Sequence, residues 1–392
     1  MQVIKQILKF PRFLYFLVPF TITISLFFID IPAPAIPITG IDFLGYTNLP
    51  KNLSFQKTPG GGFSGITYDS KQQLYYTISD DRSEKAPARF YTLKIDLKDG
   101  SLKNGGVVPV GVTTLLNGLG QPFPSGSLDT EGIALASQDT VFISSEGDSR
   151  KRINPFIKEF SLSSGKEIAT LPVPNKFLPD KSDKGIRNNL GFESLAIAPN
   201  KKYLFTATEN ALIQDGSEAK PNISSPCRIL QYNLRTQKVE KEFLYQTEPV
   251  NPFFAPRFNS GLTDIVALDN QGNFLSIERT FTGLNFSILL FQFSLEGADN
   301  IHNIDSLSSV DVKDIKPVEK KLLLNLGKLD VALDNIEGLT LGSKLPDGHR
   351  SLILVSDNNF NAVQQTQILA LRLKLEPAFI RLLRRLFHIV GS

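Results

Sequence analysis

Beyond residue 36 the apolar positions fall in short runs of about five to eight residues, broken by polar turns rich in Gly, Pro, Asn and Asp. That spacing predicts strands throughout and no long helix. One unit recurs five times. Its first strand begins Phe63-Ser64-Gly65-Ile66, Thr130-Glu131-Gly132-Ile133, Phe192-Glu193-Ser194-Leu195, Leu262-Thr263-Asp264-Ile265 and Ile336-Glu337-Gly338-Leu339, at spacings of 67, 62, 70 and 74 residues. Turns such as Asp69-Ser70, Pro199-Asn200, Asn270-Gln271-Gly272 and Asp347-Gly348 lead into a second strand at 75–79, 141–145, 203–208, 274–277 and 352–356. A third follows at 90–95, 156–162, 229–234, 288–295 and 367–373, and units one to four add a fourth at 112–116, 168–173, 239–245 and 322–326.

Four short strands repeated radially make an all-β fold, a β-propeller, because each blade buries its faces only against its neighbours. Five four-stranded antiparallel blades are expected, or six if one blade has lost the pattern. Unit five lacks a fourth strand. Residues 41–49, ahead of unit one, read as an unpaired strand that completes it and closes the ring.

The chain ends differ from this pattern. Lys5, Lys9 and Arg12 precede a nearly unbroken apolar run from Phe13 to Ile29, followed by Ala33-Pro34-Ala35, so residues 1–35 read as a signal peptide or an uncleaved N-terminal membrane anchor. Either implies an extracytoplasmic location, periplasmic or secreted. Residues 38–375 form the propeller domain, and 376–392 a basic amphipathic tail. The formal net charge of +3 comes from the ends and the middle is neutral, which argues against a nucleic-acid partner. Membrane contact is expected only through an uncleaved N-terminal segment, and the chain is expected to be a monomer. With Cys227 alone, no intrachain disulfide can form. His302, His349 and His388 lack ligand-spaced partners, which excludes a His-based zinc site or a Ser-His-Asp triad signature.

Aligning the units on the apolar residues of the second strand places an acid after it five times: Asp80, Glu146, Glu209, Glu278 and Asp357. The start of the first strand adds Glu131, Glu193 and Glu337, with Ser64 and Thr263 in the other two units. The two strands form a hairpin, so both columns lie at one end of the ring. Converging carboxylates repel, and a hard cation, protonation or pairing with bases relieves them. Calcium suits an all-oxygen donor set. The alternative is that each acid accepts backbone N–H groups in its own loop. The loops on that face carry Arg82, Lys85, Arg150, Lys151, Arg152, Lys220, Arg228 and Arg279, either as plain salt-bridge partners or as a clamp for an anionic ester.

These units resemble the esterase-like, phytase-like propeller family of secreted bacterial proteins, on Phe63-Ser64-Gly65-Ile66, Asp129-Thr130-Glu131-Gly132-Ile133, Phe192-Glu193-Ser194-Leu195 and Asn335-Ile336-Glu337-Gly338-Leu339. The resemblance implies hydrolysis of esters, including phosphate esters, with calcium as cofactor. On that footing Asp80, Glu146, Glu193, Glu209, Glu278, Glu337 and Asp357 are candidate metal ligands and Glu131 the candidate general base. Arg82, Arg152, Arg228 and Arg279 are candidate contacts to a small anionic ester. Two rivals stay open: a non-catalytic propeller that docks a ligand or protein, and a lactonase-like esterase using one metal.

Overall fold

The second strand of each unit is buried along almost its whole length because a blade is covered on both faces by its neighbours. In Leu74–Ser79 and Thr140–Ser145 every residue after the first is buried. Fourth strands lie at the rim and are mostly half-buried or exposed instead, as in Glu167–Leu171 and Glu319–Asn325. The computed structural model describes residues 38–180, 184–252 and 255–376. The expected leader (1–35) and all of the expected tail except Glu376 lie outside the described residues. Among the described residues no helix is long and apolar enough to cross a membrane.

Five four-stranded antiparallel sheets form the ring of a five-bladed β-propeller. Blade 1 comprises Phe63–Asp69, Leu74–Ser79, Arg89–Ile95 and Val107–Thr114, and blade 2 Thr130–Leu135, Thr140–Ser145, Phe156–Ser161 and Glu167–Leu171. Blade 3 comprises Ala196–Ile197, Tyr203–Ala207, Pro226–Asn233 and Lys238–Gln246, and blade 4 Asn259–Ala267, Asn273–Phe281, Phe286–Ser294 and Glu319–Asn325. Blade 5 is Ile336–Lys344, Arg350–Ser356 and Gln367–Leu375, completed by Ile38–Asn48 from the start of the domain. That strand runs antiparallel to Gln367–Leu375, with Ile41 opposite Leu373 and Tyr46 opposite Leu369. Ring closure by the N-terminal strand is as expected.

First strands pack against one another around the axis, which explains the glycine of the repeated motif. A Cβ on Gly65 would lie 2.5 Å from the Glu131 carbonyl oxygen, and one on Gly338 would lie 2.8 Å from that of Ser64. Blade 3 has Ser194 at this position. Its Oγ accepts the Ala207 N–H at 3.0 Å, taking a donor the ladder would use. Its regular first strand accordingly shrinks to Ala196–Ile197, with Phe192 joined only by an isolated bridge to Thr208.

Candidate functional site

In four blades the acid after the second strand is fixed by the same backbone bond across the hairpin. Its N–H donates to the carbonyl two residues ahead of the motif's acidic position: Asp80 to Gly62 at 2.7 Å, Glu146 to Asp129 at 2.9 Å, Glu209 to Gly191 at 2.9 Å and Asp357 to Asn335 at 3.0 Å. A small hydroxyl residue precedes each acid, namely Ser79, Ser145, Thr208 and Ser356. Blade 4 departs from this. Gly261, the counterpart of Gly62 and Gly191, stands opposite Arg279, and Glu278 stands opposite Leu262. The structural column is therefore Asp80, Glu146, Glu209, Arg279 and Asp357, and the sequence alignment was one residue out of register in blade 4.

The register corrects the placement of Glu278. It remains inside the ladder of Asn273–Phe281, which turns its side chain away from the axis. There it accepts from the Tyr245 hydroxyl at 2.8 Å and the Glu248 N–H at 2.6 Å, and pairs with Lys320.

Six of the expected acids, Asp80, Glu131, Glu193, Glu209, Glu337 and Asp357, line one cavity of about 370 Å³ together with Arg82, Lys85 and Arg279. Glu146 lies beside it, its Oε2 accepting the Gly191 N–H at 2.9 Å. Asp129, which column reasoning passed over, joins the group. Oxygens of Asp80, Asp129 and Glu131 all lie within 4.8 Å of one another. Its counterparts Gly62, Gly191, Gly261 and Asn335 carry no carboxylate, so it forms no acidic column. The available signal was its place two residues before Glu131 in the best-formed motif. Asp81, Glu84, Asn189, Asn359 and Phe360 also line the cavity and were missed, since none belongs to a repeated acidic column.

Two guanidiniums sit among these acids. Arg82 donates from Nε to Asp129 at 2.6 Å and from Nη2 to Asn189 at 2.7 Å, and stands 3.9 Å from Glu146. Arg279 bridges Glu209 at 3.2 Å and Glu337 at 3.1 Å. Eight carboxylates (Asp80, Asp129, Glu131, Glu146, Glu193, Glu209, Glu337 and Asp357) thus share two guanidiniums. Burial, followed by the neighbouring carboxylates, raises the pKa of Asp80, Glu131, Glu146 and Glu193 well above the ordinary range. Asp357 is likewise raised by burial and by Glu337. Burial pushes Glu209 up to about 7, with Arg279 opposing it and Glu337 reinforcing it. Asp80 Oδ1 and Glu146 Oε1 are buried without a hydrogen-bond partner.

Two other expected cations are not at this cavity. Arg228 is fully buried, its Nε 2.6 Å from Asp215 and its Nη1 2.9 Å from Glu242. Both acids are also tied to the excursion between the third and fourth strands of blade 4, through Leu307 N–H to Asp215 at 2.8 Å and His302 Nδ1 to Glu242 at 3.0 Å. That enclosure removes Arg228 from any substrate. Arg152 is exposed on a loop and is absent from the cavity lining.

A carboxylate set with two orphaned buried oxygens, all hard donors, fits a divalent cation of the calcium type. Comparisons with known proteins bear on the family. The secreted protein of Arthroderma benhamiae, itself uncharacterised, is 25% identical over 144 residues, covering 30% of this chain and 27% of that protein. The chain thus spans about a quarter of that relative's length. Among solved structures, an endo-arabinase from Bacteroides thetaiotaomicron is 12% identical, with 85% of this chain and 99% of that chain covered and a TM-score of 0.42. The tail fibre of Staphylococcus aureus phage P68 is 12% identical, with 85% and 52% covered and a TM-score of 0.41. The phytase-like family model, described as esterase-like activity of phytase, matches residues 58–360. With this match covering blades 1 to 4 and the first hairpin of blade 5, the chain belongs to the phytase-like family.

Proposed function

We propose that this is an exported, calcium-dependent hydrolase of small anionic esters, of phosphate-ester type. The observation that carries it is the convergence of Asp80, Asp129 and Glu131 within 4.8 Å, with Asp80 Oδ1 buried and unpartnered. The apolar N-terminal run and the secreted relative support export.

Asp80, Asp129 and Glu131 would hold the cation, with Glu146 beside them. Glu131, expected from the motif to be the general base, is assigned to ligation because its oxygen belongs to the triad. Bound calcium would supply Lewis-acid polarisation of the ester oxygen and a more acidic water. Arg82 and Arg279 orient the anionic end of the substrate, and Lys85 extends this positive lining at the mouth. Glu209 holds a proton near neutral pH, as a general acid–base group requires. Its Oε1 is fixed by Arg279, leaving Oε2 to exchange that proton.

The test is hydrolysis of p-nitrophenyl phosphate and p-nitrophenyl acetate by the folded protein, before and after chelation. Activity lost with chelator and restored by calcium is expected. A protein that binds calcium yet turns over neither ester would instead be a binding propeller, and one that binds none would overturn the metal assignment.

A further inference from the structure

Blade 4 breaks the acidic pattern twice, and both breaks act in one direction. Thr263 replaces the glutamate of the first strand, and the register places Arg279 where the other four blades present Asp80, Glu146, Glu209 and Asp357. Arg279 is nine-tenths buried, bridges Glu209 and Glu337 across the mouth, and keeps Nε without an acceptor. Burial works against its charge, yet Glu209, Glu337 and Glu193 hold the guanidinium's pKa above its ordinary value.

The acids accordingly divide into two groups. Asp80, Asp129, Glu131 and Glu146 surround orphaned oxygens and have only Arg82, which reaches in from the rim and is one-third exposed. Glu209 and Glu337 are bridged by an enclosed, covalently tethered cation, and Glu193 and Asp357 lie within its field. We infer that Arg279 is a built-in substitute for a second metal ion, so that the ring takes one divalent cation, on the side of blades 1 and 2. This rests on the calcium reading above and refines it. A guanidinium there supplies a fixed positive charge to the far carboxylates at any calcium concentration, which leaves one exchangeable ion beside the substrate cavity.

Calcium titration calorimetry and thermal melts of the full folded domain test this, with Arg279→Gln and Arg279→Lys. One calcium per chain is expected for the unaltered protein and for Arg279→Lys. Arg279→Gln should bind two, and should melt lower than the unaltered protein in chelator while recovering in saturating calcium. Two or more ions on the unaltered protein, or a single ion on a folded Arg279→Gln variant, would overturn the inference but not the metal site. Failure of Arg279→Gln to fold even in calcium would also overturn it, because a bound ion should replace the lost charge. No calcium on the unaltered protein would remove the underlying reading instead.

Discussion

At the scale of single residues, the site depends on space as much as on charge. Gly191 and Gly261 each sit against the acid of the preceding blade. A Cβ on Gly191 would lie 2.7 Å from Glu146 Cβ, and one on Gly261 would lie 2.4 Å from Glu209 Cγ. Neither glycine has a positive φ, so the requirement is room for the neighbour's carboxylate. Blade 2 meets the shorter Asp80 and has Asp129 at this position, which adds a carboxylate where the others leave a gap. Gly261→Ala should therefore lower the unfolding free energy by about 1–3 kcal/mol through overpacking. Gly118→Ala, whose new Cβ has nothing within 4 Å, should stay within about 0.5 kcal/mol of the parent. Urea denaturation of the two variants checks this, and equal midpoints would show that crowding is not what keeps glycine at 261.

At the scale of the element, the hairpin decides which side chains reach the axis, and here the sequence could be read only in part. The recurring acid was visible because four blades place Ser or Thr directly before it and then turn, bringing the acid to the same height each time. Blade 4 keeps its strand through Phe281, and strand alternation then sends Glu278 outward and Arg279 inward. Ile277, where the other blades have Ser or Thr before the acid, was the sign that Glu278 is out of the column, but apolar alignment overrode it. Arg228 shows a different limit. Its partners Asp215 and Glu242 lie 13 and 14 residues away and hold no repeated position, so only the fold reveals the buried triad. Arg228→Met should cost roughly 3–5 kcal/mol of stability by stranding the buried Asp215 and leaving Glu242 to Lys176 and His302 alone. Calcium affinity should be unchanged, because the triad lies away from the acid cavity. Denaturant midpoints alongside calcium titration check both halves, and a loss of calcium binding at unchanged stability would return Arg228 to the site.

At the scale of the whole molecule, ring closure forces the acids together, and the protein bears the electrostatic consequence. The strand Ile38–Asn48 locks blade 5 to the start of the domain, so the first strands cannot spread to relieve repulsion between carboxylates on neighbouring blades. Their raised pKa values make the native state hold protons that the unfolded chain has released. For such groups stability is fully present below the unfolded pKa and is lost as pH rises through the folded one. Glu209, normally near 4.5 and pushed to about 7, accounts for about 3 kcal/mol over that interval. Asp80, Glu131, Glu146, Glu193 and Asp357 act in the same direction. In chelator the melting temperature should therefore fall steadily from pH 5 to pH 8. A cation among the acids replaces those protons, so calcium should raise the melting temperature little at pH 5 and most at pH 8. Calorimetric melts across that range, with chelator or with calcium, decide it. A metal-free protein that grows more stable towards pH 8 would mean that these carboxylates are not confined together as the closed ring requires.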